Sequence, residues 1–322
     1  MIDAALERWT SQKMEARIVR YADLRPCFNA FVDTRSPGSE AKENFTIIGP
    51  GVSENPEQHV HIAEPHGFNI GGARQPPGCV NSQHSHDTAE VFVVHSGRWR
   101  FDLGEHGEDA KVELRPGDVV SLPTRMFRGF TNVGDDSGFL WAVLGGDDPG
   151  RVTWAPAVFD LARDHGLILL ESGKLIDTTR GQSPGPDERP MARTSPEQVS
   201  ALRRMTPADA ERIVVRPGDG AHGETALIGE DAPLGGGHGF TLSRLDLEAG
   251  EAVERTRRDG VEVLFVQFGT LEFSWGEGQA VLGAGDTLTV PTGLPRNFRA
   301  GAEGAAVFVV RDGDRVPELY AG

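Results

Sequence analysis

The stretch Gly78–Gly97, GCVNSQHSHDTAEVFVVHSG, decides how the rest of the chain is read. His84 and His86 stand two apart, so in an extended segment both imidazoles leave one face, and Asp87 and Thr88 are residue types that turn a chain. That turn brings Glu90 alongside the pair. Two neutral imidazoles and one carboxylate form the facial set that suits non-haem iron and related divalent ions, with open positions for water, oxygen or substrate. A second stretch, GDVVSLPTRMFRGFTN from Gly117 to Asn132, reads as the partner strands of the first.

Around these stretches the chain is written in short β-type runs. FTII, HVHI, FNIGGA, EVFVVHSG, RWRFDL, KVEL, DVVSL and FLWAVL follow one another between Phe45 and Leu144. The turns between them include Gly-Glu-His-Gly at 104–107 and Arg-Pro-Gly-Asp at 115–118. Such spacing predicts an antiparallel barrel or sandwich. After Gly150 the texture changes. APAVFDLARDHG at 155–166 has helical periodicity, and GQSPGPDERP at 181–190 is a proline-bearing linker. Ser195 then caps a second predicted helix, with Pro196 at its first position and Val199, Leu202 and Met205 on one face.

Beyond Arg212 the β-type texture returns and repeats the first half. HGFNIGGARQPPG at 66–78 aligns with HGFTLSRLDLEAG at 238–250. In this register Glu90 falls on Glu262 and Gly97 on Gly269, whereas His84 and His86 fall on Thr256 and Arg258. Gly117, Pro123, Arg125 and Arg128 correspond to Gly285, Pro291, Gly293 and Arg296. The expected organisation is an N-terminal arm at 1–43, a first barrel at 44–150 with the candidate site, a helical connector and linker at 151–205, and a degenerate second barrel at 206–322 without metal.

The first stretch reads G-x5-H-x-H-x3-E-x6-G and resembles the first cupin motif at every fixed position. The second resembles the other cupin motif, G-x5-P-x-G-x2-H-x3-N, at Gly117, Pro123 and Asn132. It departs at Arg125, where that motif has Gly, and at Arg128, where it has a histidine as fourth ligand. With the duplication, the chain resembles the bicupins of the cupin superfamily. The resemblance implies an all-β fold of two antiparallel jelly-roll (cupin) barrels with a short helical connector. It further implies, through the quercetinase-like and gentisate-dioxygenase-like two-domain cupins, a metal-dependent oxygenase acting on a small aromatic or organic-acid substrate. His84, His86 and Glu90 would then hold one divalent transition metal per chain, Fe in preference to Mn, Ni or Zn. A metal-dependent lyase or isomerase is the alternative enzyme. A non-catalytic small-molecule-binding bicupin, with Glu–Arg pairs in place of metal, is the alternative of a different class.

Glu90 and Arg128 are the candidate catalytic residues, and two roles for Arg128 stay open. A cation beside a dication costs Coulomb energy unless an anion lies between them, which favours Arg128 as the anchor of an anionic substrate. The other role is to bind Glu90 itself. Glu262 and Arg296 recur in the second barrel although both histidines are gone, so those two are expected to touch. His59 and His61 have no carboxylate at motif spacing and read as a surface pair. His95 has the opposite strand parity to Glu90 and leaves the barrel wall, and His66 and His238 share one place in the repeat. Phe92 and Val94, with Met126 and Phe130 beside Arg128, read as apolar lining.

A formal net charge of −16 over 322 residues opposes binding to nucleic acid or anionic membrane surfaces. Cys27 and Cys79 are too few for a disulfide framework, and no apolar run reaches spanning length or forms a leader. The expectation is a cytoplasmic protein whose partner is a small molecule. Residues 1–43 carry Trp9, Phe28 and Phe31, and bicupins often associate through such segments, so the resemblance also implies a homodimer.

Overall fold

The computed structural model describes residues 9–218, 222–276 and 278–313. Residues 2–9, whose sequence reads as a short amphipathic helix, lie, but for Trp9, outside them. Two compact units divide the chain: one holds residues 25–217, and the other joins described residues 9–24 to 218–313.

The first unit is a sandwich of a seven-stranded and a five-stranded sheet. The larger sheet runs in the order Val214–Val215, Val119–Leu122, Glu90–Ser96, Gly138–Gly145, Phe68–Gln75, Glu43–Ile48 and Val60–Ile62. The smaller runs Thr153–Trp154, Val80–Ser85, Arg128–Asn132, Trp99–Leu103 and Ala110–Leu114. Alternate residues of both sheets, among them Phe92, Val94, Phe101, Leu103, Phe130, Leu140 and Leu144, fill the space between them. Gly97, last residue of the quoted stretch, turns the chain from one sheet to the other at φ 82°. A Cβ there would stand 2.7 Å from the Gly138 backbone, so only glycine fits.

The second unit repeats the plan with longer strands. Glu262–Trp275 and Arg296–Asp312 each run unbroken where the first unit uses two strands, and both belong to a single eight-stranded sheet. The duplication is visible in the register: Thr256 pairs with Arg296 as His84 pairs with Arg128.

Two expectations change. The described residues 9–43 do not form one arm. Met14 and Ile18 are buried in the core of the second unit, where Ile18–Val19 pairs with Thr287–Val290, whereas 25–43 fold into the first unit. The apolar residues that suggested a partner chain are covered, Phe28 excepted, by their own chain. The connector is less helical than its periodicity suggested. Its α-helices are Pro156–Asp164 and Pro196–Ser200, and a hairpin of Leu167–Leu169 with Leu175–Asp177 lies between them. Ser195 does cap the second helix, in a capping box with Gln198.

Candidate metal centre

His84 lies at the end of the strand Val80–Ser85 in one sheet, His86 follows just past it, and Glu90 opens the strand Glu90–Ser96 in the other. The turn at 87–89 carries the chain across, so the three side chains meet where the two sheets meet. All three are buried, and a ligand atom from each lies within 4.8 Å of the others. Nδ1 of His84 donates to the Ser82 carbonyl at 2.7 Å, which fixes the tautomer and leaves Nε2 with its lone pair. His84 also packs against His86 and against Trp154, at ring separations of 5.1 and 5.4 Å. Nε2 of His86 lies 3.6 Å from Oε1 of Glu90, and its Nδ1 is buried without a hydrogen-bond partner. Burial first, then the nearby Arg128 cation, pushes the His84 imidazolium down to about 3 and holds His86 well below the usual histidine range. Both rings are therefore neutral near pH 7, the state in which imidazole binds metal.

Arg128 is placed differently from the preferred expectation. Its side chain is 0% exposed, and it gives Nε and Nη2 to a single oxygen of Glu90, Oε2, at 3.1 and 2.7 Å, and Nη1 to the Met126 carbonyl at 3.1 Å. It is not among the residues that line the cavity, and the contact it makes is the second of the two roles, with Glu90 itself. The reason is register. Arg128 lies opposite His84, and a guanidinium buried there must take the nearest carboxylate. Oε1 of Glu90 remains turned to the histidines.

In the second unit Glu262 and Arg296 are in direct contact, as expected. The other oxygen of Glu262 accepts from Nε of Arg311 at 3.0 Å, and Arg296 also donates to Thr256 at 2.8 Å. Arg258 instead pairs with Asp312. With Thr256 and Arg258 at the histidine positions, the guanidinium groups of Arg296 and Arg311 satisfy the carboxylate.

Arg125 explains its own departure from the motif. It is the one non-glycine with positive φ among the described residues, at 56°, and its N–H donates to the His86 carbonyl at 2.8 Å. Gly293 makes the equivalent bond to the Arg258 carbonyl at 2.7 Å with φ 74°. Arg125→Gly is therefore expected to stabilise the first barrel by about 0.5–1 kcal/mol, the left-handed penalty less the chain entropy of glycine. A lower urea midpoint for the variant would contradict this.

The triad opens into a cavity of about 660 Å3 of atom-free space including its mouth. Phe92 and Phe130 line it as parity predicted, Leu144 joins them, and Gly71, Ala73 and Ala142 make the room. Val94 and Met126 lie instead in the surrounding core. The sequence did not mark Phe31, Asn44, Gln58 or Trp154, which also line it. Neither did it mark Lys42 and Asp33, a fully buried ion pair whose lysine also reaches Asn81 at 3.1 Å. Trp154 carried one available signal: TW at 153–154 follows the first barrel directly and pairs with the histidine strand. Of the other histidines, His59 and His61 stack edge to face, His95 packs on the outward Phe139, and His66 and His238 sit against Phe68 and Phe240 in matching places.

Comparison with known proteins agrees with this geometry. Residues 73–144 match the cupin domain family. Over 89 residues the chain is 37% identical to a germin-like protein, subfamily 1 member 7, of Arabidopsis thaliana; the match covers 26% of this chain and 38% of that protein. Among solved structures, the coconut allergen cocosin superposes with TM-score 0.56 at 15% identity over 93% of this chain and 86% of its own. Vicilin from Capsicum annuum superposes with TM-score 0.55 at 13% identity over 92% and 86%. The first unit thus carries a cupin domain, and the chain as a whole shares the fold of these two solved structures. Among the described residues no helix is long and apolar enough to cross a membrane.

Proposed function

We propose that the first barrel is a metal-dependent oxygenase site for a small aromatic or organic-acid substrate, and that the second barrel is a metal-free counterpart. The observation that carries this reading is the ligand chemistry of the triad: two imidazoles held neutral by burial, one with its tautomer fixed by Ser82, beside a carboxylate with one oxygen left over. Two donors about 2.1 Å from a shared ion, at right angles, stand about 3 Å apart, so the 3.6 Å between His86 and Glu90 needs only slight closure. The residues fit the group.

His84, His86 and Glu90 would hold a divalent ion, iron in preference to manganese, nickel or zinc. Such an ion supplies Lewis acidity and open positions at which a substrate with adjacent oxygens and dioxygen are brought together. The chain supplies the rest. Arg128 holds Glu90 by Oε2 and so aims Oε1, Ser82 orients His84, and Phe92, Phe130 and Trp154 exclude water from the apolar part of the substrate. Any negative charge of the substrate belongs at the metal end, because the described lining includes neither lysine nor arginine.

Elemental analysis of untagged protein should find about one transition metal per chain, absent from His84→Ala and His86→Ala, with oxygen uptake in a panel of phenolic and keto acids. Metal below a tenth of an equivalent, unchanged by the two variants, would overturn the reading. The Arg128–Glu90 contact, repeated by Arg296 and Glu262, favours one second reading, a metal-free binding barrel.

A further inference from the structure

The cavity wall formed by the strand Glu43–Ile48 carries polar groups that the metal reading does not use. Asn44 and Thr46 share one strand face, and the cross-strand register Thr46, Gly71, Ala142, Phe92 places two strands between this wall and the strand of Glu90. Asn44 is 7% exposed and its Nδ2 is buried with no hydrogen-bond partner. Gln58 spends its Nε2 on the hydroxyl of Thr46 at 2.6 Å, while its Oε1 is likewise buried and unpartnered. Both residues line the cavity. One unused donor and one unused acceptor on a single wall are left to a ligand, since buried polar groups are otherwise paired.

We propose that Asn44 and Gln58 form a neutral subsite that recognises a hydroxyl group of the substrate, remote from the atoms that would bind metal. The proposal rests on the metal reading for the ligand's orientation only. A hydroxyl accepts from an amide N–H and donates to an amide oxygen, so it satisfies both residues. A carboxylate accepts only. It would meet Asn44 well but set its charge against the Gln58 oxygen, in a lining that includes neither lysine nor arginine among the described residues. The selected class is therefore small chelating compounds bearing an uncharged hydroxyl at the far end, in preference to those bearing a second anion.

Calorimetry on zinc-loaded protein, with zinc chosen because it is redox-inert, tests this with three probes: catechol, 3,4-dihydroxybenzyl alcohol and 3,4-dihydroxybenzoate. The alcohol should bind about tenfold more tightly than catechol, and the benzoate no more tightly than catechol. Asn44→Ala and, independently, Gln58→Ala should abolish the advantage of the alcohol. Gln58 is only partly buried, so its variant reports even if the first fails to fold. The benzoate binding most tightly, the advantage surviving in both variants, or no probe binding at all would each overturn the subsite. A variant-sensitive preference for the alcohol in protein that holds no zinc would keep the subsite and overturn the metal reading instead.

Discussion

Arg128→Met is expected to lower the stability of the metal-free protein by about 3–5 kcal/mol, and added zinc is expected to return most of that loss. The substitution keeps an unbranched chain of similar length but removes the two donors that satisfy Oε2 of Glu90. Glu90 is 4% exposed, so it is left as a buried carboxylate without a cation. In a unit of the size of residues 25–217 each kcal/mol moves the midpoint by about 2–4 °C, so a fall of roughly 10 °C in that unit's transition is the expected reading in the presence of a chelator. A dication between His84, His86 and Glu90 would supply the missing charge. Zinc should therefore stabilise the variant more than the parent, and the His84→Ala/Arg128→Met double variant should not respond. If the loss is the same with and without zinc, Glu90 serves the fold and not a metal. A loss below about 1 kcal/mol would mean that the pair behaves as a solvated one.

Much of this site was legible in the sequence, and the reason is local. His84, His86 and Glu90 are close in sequence, and strand parity with one turn is enough to bring them together. The second barrel was legible because duplication leaves a register that can be checked residue against residue, down to the contact of Glu262 with Arg296. The role of Arg128 was not legible. Its reach depends on how far the strand Arg128–Asn132 lies from Glu90 and on complete burial, and neither is encoded in a motif. The cavity wall was missed for a related reason. Phe31 and Gln58 come from stretches rich in proline, glycine and asparagine, where no period of 2 or 3.6 marks which side chain turns inward, and Asn44 stands at the edge of its β-type run. The bridge between Cys27 and Asn44 and the burial of Lys42 on Asp33, which bind the stretch around Phe31 to the barrel, are long-range choices. Arg125 shows the opposite case: the glycine expected there was absent, yet the backbone kept the left-handed conformation that a glycine would have adopted.

The buried Glu54 gives the fold a pH dependence that can be isolated. Oε2 accepts from the Val32 N–H at 2.7 Å and Oε1 from the indole of Trp154 at 2.6 Å, behind the ring that packs on His84. Burial outweighs these bonds and raises the carboxyl from 4.5 to about 8. The folded protein therefore holds a proton that the unfolded chain has released between pH 4.5 and about 8, so this group makes stability fall as pH rises through that window. The slope is about 1.4 kcal/mol per pH unit for a single group. His84 and His86 act with the opposite sign. Their lowered values make stability rise as pH climbs to the unfolded histidine value, so the raw profile of the protein mixes both trends. The difference between the protein and Glu54→Gln removes the histidines and leaves Glu54. At pH 5 the variant should be less stable by about 1–3 kcal/mol, because one amide oxygen cannot accept from both Val32 and Trp154. As pH rises the gap should close at the slope given above, and by pH 8 the variant should be the more stable of the two. Urea unfolding at half-unit steps would show it, and parallel curves from pH 5 to 8 would mean that Glu54 is already ionised in the folded protein.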